Sequence, residues 1–289
     1  MLKKSETRSA KHRTTAKTAR EPRHREKLPF KTDIKRADYV SAFARGLEIL
    51  RIFNHDTPCV SVSLAAERTG LSRAAARRFL LTLNELGYVS PNGELFELRP
   101  KVLELGFSYV STWRTAELVT PYLKEGVKAM NENVSFGVLD GNEVLYVARA
   151  EARRLVHSLV ITIGSRVPAV LSAMGRVLIA NQPNDVIEAI LSQAPLPRFT
   201  PNSVDDPNVL RGILRDVRQK GWCLVTEEFE QGVMSVAVPI TGEGGHVVAA
   251  INVGAPTTRA TATDMVQKFL PALQEVGRNI SDAVMMHGM

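Results

Sequence analysis

Cysteine is nearly missing from this chain: Cys59 and Cys223 are the only two in 289 residues. Far apart and in different predicted domains, they exclude a disulfide framework and fit a reducing, cytoplasmic compartment. Histidine is almost as scarce, at positions 12, 24, 55, 157, 246 and 287, with no pair at metal-ligand spacing. No apolar run is long enough to cross a bilayer or to form a signal-peptide core. There is no repeat of fixed period and no nucleophile elbow. The glycine cluster Gly242-Glu243-Gly244-Gly245 lies between two predicted strands, so it makes a hairpin turn and not a phosphate loop. No cofactor is expected.

Acidic residues are scarce where basic ones collect. Residues 1–37 hold 13 Lys+Arg against 4 Asp+Glu, and the rest of the chain holds 24 against 26, so the net charge of +7 belongs to a tail. That tail has too few large apolar side chains to offset its ordering entropy and reads as disordered. It either adds sequence-independent attraction to phosphate or simply solubilises the chain. Its composition is weakly similar to a transit peptide, but it lacks the apolar stripe such a peptide needs. With 44% hydrophobic residues, the chain can build one large or two modest cores.

What is present begins with a helix over Tyr39–Phe53, where Val40, Phe43, Leu47, Leu50 and Ile52 or Phe53 recur near helical spacing. Two short helices follow in SVSLAAERTGLSRAAARRFLLTLNEL, residues 61–86. Ser61 or Ser63 can cap the first, Val62, Ala65 and Ala66 form its apolar stripe, and Gly70 permits its end. Ser72 caps the second, and Ala75, Ala76, Phe79, Leu80, Leu83 and Leu86 define its buried face. Arg73, Ala74, Arg77, Arg78 and Thr82 fall outside that stripe. After Gly87, extended segments flank the turn signal Pro91-Asn92-Gly93. A helix pair followed by a hairpin is a winged helix-turn-helix. Its second helix would read base edges in the major groove through Arg73, Arg77 and Arg78, with Arg99 at the wing touching phosphate. A helical hairpin with a solvated basic face is the competing reading.

Pro100 can start a further helix, rich in apolar residues, that reads as a linker packing against a second subunit. The expected divisions are a tail over 1–37, the winged domain over 38–99, a linker helix over 100–114 and an effector-binding and oligomerisation domain over 115–289. In the last, strands are expected at Val134–Leu139, Val144–Ala148, Leu155–Ile163, Trp222–Thr226, Val233–Ile240 and Val247–Gly254. Helices are expected from Ala116 and over Ser172–Ala180, Asp185–Leu191, Val209–Lys220 and Met265–Met285, the last kinked at Pro271. The fold class is α+β, with a six-stranded antiparallel sheet covered on both sides or enclosing a cavity.

Two places there could hold a small ligand. Ser235 and Asn252 interrupt apolar strands, and each would either face a polar ligand or bond a neighbouring backbone group. The helix start at Ser172 offers the free N–H groups of Ala173, Met174 and Gly175 to a carboxylate, with Arg166 or Arg176 to balance charge, unless it is a plain capped helix. Glu227, Glu228 and Glu230 read as a solvated turn, His157 as a hydrogen-bonded core histidine and Cys223 as a core strand residue.

The segments SAFARGLEILRIF, AAERTGLSRAAARRFLLTLNELGYV, RPKVLELGFSYV, PAVLSAMGRVLIA, GWCLVTEEFEQGVMSVAVPI and VVAAINV, in this order, resemble the IclR family of bacterial transcription regulators over residues 38–285. The likeness is greatest to the branch regulating aromatic-acid catabolism. It implies a winged helix-turn-helix, a linker helix, a GAF/PAS-like effector domain and dimers or tetramers on palindromic promoter DNA. It also places an effector pocket on Ala173, Met174, Val225, Val233, Ser235 and Asn252. Two departures stand out: Met234 where arginine is common, and Ser235 where many relatives carry cysteine. The leading expectation is therefore a regulator of double-stranded promoter DNA controlled by a small organic acid. The alternatives are an enzyme acting on such an acid, which turnover would reveal, and an architectural DNA binder, which saturable ligand binding would remove.

Overall fold

The computed structural model describes residues 39–54, 57–106, 115–152, 161–193 and 195–287. Helix α1 (Ser41–Leu50), strand β1 (Cys59–Ser61), helices α2 (Val62–Thr69) and α3 (Arg73–Glu85) and strands β2 (Val89–Asn92) and β3 (Leu95–Leu98) form the first unit. The helix boundaries are locally encoded. Ser61 Oγ accepts from Leu64 N at 3.1 Å to open α2, and Gly70, at φ +67°, closes it. Ser72 Oγ accepts from Ala75 N at 3.2 Å to open α3. The β2–β3 hairpin pairs Asn92 with Leu95 across a turn in which Gly93 takes φ +60°. Ile49, Val60, Ala65, Ala76, Leu80 and Val89 are wholly excluded from water at the centre of this unit.

Three details differ from the sequence reading. β1 pairs with β3, making a three-stranded sheet in the order β1-β3-β2, although three residues after a turn carry little strand signal. In α1 the buried residue is Ile49, whereas Val40, Phe43 and Leu47 are exposed, Phe43 to 69%. Helical spacing identified an apolar stripe but could not say that nothing among the described residues covers it. Leu86, expected in the buried face of α3, is exposed for the same reason. The expected linker helix begins as a 3-10 turn at Pro100–Val102, continues as α-helix over 103–106 with Leu103 and Leu105 exposed, and over 107–114 lies outside the described residues.

The second unit is a six-stranded antiparallel sheet: β4 (Asn133–Asp140), β5 (Glu143–Ala150), β6 (Arg166–Pro168), β7 (Cys223–Thr226), β8 (Val233–Thr241) and β9 (Val247–Pro256), in the spatial order β6-β5-β4-β9-β8-β7. Helices α4 (Thr115–Met130) and α8 (Leu270–Met286) cover one face. Helices α5 (Ala173–Ala180), α6 (Asn184–Leu191) and α7 (Pro207–Lys220) cover the other. Strands buried on both sides explain why their sequences lack clean alternation. Met234, Val236, Val238 and Ile240 point to α4 and α8, while Ala237 and Ala250 point to α5.

The strand expected at Leu155–Ile163 is not among these six. Residues 153–160, His157 included, lie outside the described residues, and Ile161–Ile163 are not strand; Gly164 turns the chain at φ +88° into β6. The kink expected at Pro271 takes the form of a π-helical turn, Met265–Phe269, immediately before α8. Widening by one residue accommodates the proline, which has no N–H and whose ring would crowd the preceding turn. No helix among the described residues is long and apolar enough to cross a membrane.

Candidate functional site

Arg73, Ala74, Arg77, Arg78 and Thr82 are all exposed along α3, as are Ser72 at its start and Arg99 beyond β3. Ala76, Leu80 and Leu83 anchor the opposite side of the helix in the core. Thr82 Oγ1 donates to Arg78 O at 2.9 Å, and none of Arg73, Arg77, Arg78 and Arg99 forms an ion pair among the described residues. These guanidinium groups are free to meet acceptors on a duplex, where arginine pairs bidentately with guanine O6 and N7. The Arg77→Ala variant is expected to lose about 1–3 kcal/mol of discrimination between specific and random duplex in a gel-shift titration. Equal losses on both duplexes would instead mark a phosphate contact.

The second site lies on the sheet face beneath α5. Four polar side chains cross it in an otherwise apolar surface. In register, Arg149 of β5 opposes Ser135 of β4, and Ser135 opposes Asn252 of β9. Ser235 of β8 sits diagonal to Asn252, beside Val225 of β7. Arg149 Nη1 donates to Ser135 Oγ at 3.1 Å, and Asn252 Nδ2 donates to Ser235 Oγ at 2.8 Å. Among the described residues the carboxylate paired with Arg149 is the exposed Glu151, at 3.2 Å. Tyr146, on the same face of β5, is buried, and burial pushes its phenol up to about 12, so it keeps its proton. Gly137 of β4 leaves room for Met174: a Cβ there would stand 3.2 Å from Met174 Cε and 2.7 Å from Val144 Cγ1.

Val225, Ser235, Asn252 and Met174 are thus brought to one face, with Val233 farther along β8 and Ala173 and Gly175 buried at the start of α5. Sequence reasoning missed Ser135 and Arg149. Strict alternation along Glu143–Ala150 puts Arg149 with Leu145 and Val147, against α4 and α8. The register shifts between Phe136 and Gly137, so Val147 is an extra residue in β5 and Arg149 turns to the α5 side. An arginine in an apolar strand was the available signal.

Other expected parts take different roles. At the start of α5, Ser172 Oγ accepts from Gly175 N at 2.9 Å, and the turn Ala169–Leu171 lies directly over Gly175. Arg176 makes two bonds to Glu228, at 2.7 and 2.5 Å, and donates to Val170 O at 2.8 Å. Glu228, expected in a solvated turn, is therefore buried. Arg166 is committed to Asp140 and Glu143 at the β5–β6 end of the sheet, away from the polar row. Met234 faces the α4 and α8 core, so its departure from the family pattern does not reach this surface. Cys223 is buried, and burial pushes its thiol up to about 11, which leaves it protonated and unsuited to nucleophilic attack.

Comparison with known proteins matches both units of the chain. The IclR helix-turn-helix domain matches residues 42–93, and the bacterial transcriptional regulator IclR C-terminal domain matches residues 107–282. The Pca regulon regulatory protein of Pseudomonas putida is 35% identical over 84% of this chain and 84% of its own length. The Pca operon regulatory protein of Acinetobacter baylyi is 36% identical over 86% of this chain and 90% of its own. An IclR homologue from Microbacterium hydrocarbonoxydans, solved in complex with 4-hydroxybenzoate, superposes with a TM-score of 0.73 at 26% identity, covering 84% of this chain and 98% of that one. With both units matched in order, this chain belongs to the IclR family of DNA-binding transcription regulators and is not an enzyme.

Proposed function

We propose that this protein controls genes of aromatic-compound catabolism in response to a small organic acid held on the sheet face beneath α5. The observation that carries this reading is Arg149: a cation only 13% exposed, set in an apolar surface and, among the described residues, paired only with a solvent-exposed carboxylate. A carboxylate ligand can displace Glu151 and take up charge-assisted bonds from the guanidinium. The names of the relatives that regulate Pca genes, and the 4-hydroxybenzoate bound by the Microbacterium homologue, support an aromatic acid. Ser135, Ser235, Asn252, Val225 and Met174 would line the site, and Ala173, Gly175 and Val233 would support it.

Ligand can shift DNA binding only by favouring one arrangement of paired reading heads over another. A homodimer or homotetramer supplies the pairing. The exposed Val40, Phe43, Leu47, Leu103 and Leu105 support contact between copies, since apolar groups so placed gain from being covered. The site reading is tested by calorimetric titration with benzoate and hydroxybenzoates. Arg149→Met should weaken binding of the best acid by roughly 10- to 100-fold, the loss expected for hydrogen bonds to a charged group. An unchanged affinity would remove Arg149 from the site.

A further inference from the structure

We infer that the cleft between α5, α6 and α7 binds a phosphomonoester with an apolar body, at a site separate from the sheet face. The cleft encloses about 280 Å3. Ala180, Ile187 and Leu214 give it an apolar floor, and Arg211, Arg215 and Arg218 line it from α7. These arginines recur at intervals of four and three residues, which sets three like charges on one helical face. Like charges at that spacing destabilise a helix unless an anion sits beside them. Among the residues lining the cleft Glu188 of α6 is the one carboxylate, so three positive charges face one negative.

The three guanidinium groups are not equivalent. Arg211 donates to both oxygens of Glu188 at 2.7 Å and to Asn208 Oδ1 at 2.7 Å. Arg218 donates to Ala180 O and, at 2.6 Å, to Gln182 O, at the end of α5. Both are thereby fixed in place, yet each keeps N–H groups to spare, since a guanidinium has more donors than either set of bonds employs. Arg215 lies between them on α7, and among the described residues no carboxylate pairs with it; its bond to Arg211 O is long, at 3.4 Å. A phosphomonoester brings nearly two negative charges, which matches the surplus, and its oxygens can meet donors arriving from several directions. A carboxylate offers one charge in one plane. An aryl or alkyl group on the phosphate would cover Ile187, which is only half-buried. Ala180 ends α5, whereas Met174, at the start of the same helix, meets Gly137 of the sheet, so the cleft and the polar row belong to opposite ends of α5.

Calorimetric titration of the full chain with phenyl phosphate and with inorganic phosphate tests this. Phenyl phosphate should bind saturably and several-fold more tightly than inorganic phosphate, because its ring covers Ile187. Arg215→Gln should weaken that binding roughly tenfold or more, the loss expected for hydrogen bonds from a charged donor. Because Arg215 is exposed and pairs with no carboxylate among the described residues, the variant should melt with the wild type. Arg149→Met should leave phenyl phosphate affinity unchanged, which separates the cleft from the sheet face and from the reading proposed for it. Absence of saturation at millimolar phenyl phosphate, equal affinity for the two phosphates, or binding that survives Arg215→Gln overturns the inference. Loss of binding in Arg149→Met overturns it too, by placing the phosphate on the sheet face.

Discussion

Replacing Gly175 with alanine should lower the melting temperature of the effector unit by roughly 6–12 °C, equivalent to about 3 kcal/mol for a unit of this size. The reason is a close approach of two backbone segments. A Cβ at 175 would stand 2.1 Å from Ala169 O, 2.3 Å from Ala169 Cα and 2.5 Å from its carbonyl carbon. None of these is the end of a flexible side chain, so relief requires moving the turn Ala169–Leu171 or the start of α5. Both are fully buried. The shift would also carry Met174 away from Gly137, so acid binding should weaken along with stability. Differential scanning calorimetry reads the first effect, and a transition within 2 °C of wild type would contradict the packing described here.

Arg176→Met should destabilise the same unit by about 3–5 kcal/mol, because it strands Glu228 as an unpaired buried charge. Arg176 is 3% exposed and Glu228 10% at their side chains. The pair is also a junction. Glu228 Oε2 accepts from Val204 N at 3.0 Å, and Glu228 O accepts from Ser203 Oγ at 2.6 Å, tying α5, the segment before α7 and the β7–β8 turn together. The double variant Arg176→Met with Glu228→Leu should recover most of the loss, since an apolar pair removes both desolvation penalties. Denaturant melts of the two singles and the double give the coupling directly. Near-additive losses would show that the two residues stabilise the fold independently.

Much of the DNA-reading unit was legible because its signals are local. Ser61, Gly70, Ser72 and Gly93 each act on backbone within a few residues, and the structure uses all four as capping and turn chemistry requires. The exposed basic face of α3 follows from helical periodicity alone. The failures were of another kind. β1, with three residues, exists because β3 offers it an edge. Phe43 and Leu47 obey helical spacing yet remain in water, because spacing ranks the faces of a helix without naming what lies opposite.

The sheet face beneath α5 divides along the same line. Ser235 and Asn252 stood out as polar breaks in apolar strands, and β8 and β9 do place them on one face within hydrogen-bonding distance. Arg149 did not, because a single extra residue in β5 decides which way it points. Arg166 and Arg176 looked equally available for an anion, yet each is taken by carboxylates more than twenty residues distant in sequence.

From the sequence alone came the order of units, the capped arginine-bearing helix, the scarcity of cysteine and histidine and the family likeness. All of these depend on residue type and short spacing, which a chain carries before it folds. The tertiary structure alone decided which arginines are taken by distant carboxylates, which one lies in an apolar sheet face, and which apolar side chains stay exposed among the described residues. Those are properties of pairing between distant segments, where strand register and burial, and not composition, determine which charges are neutralised and which polar atoms are satisfied.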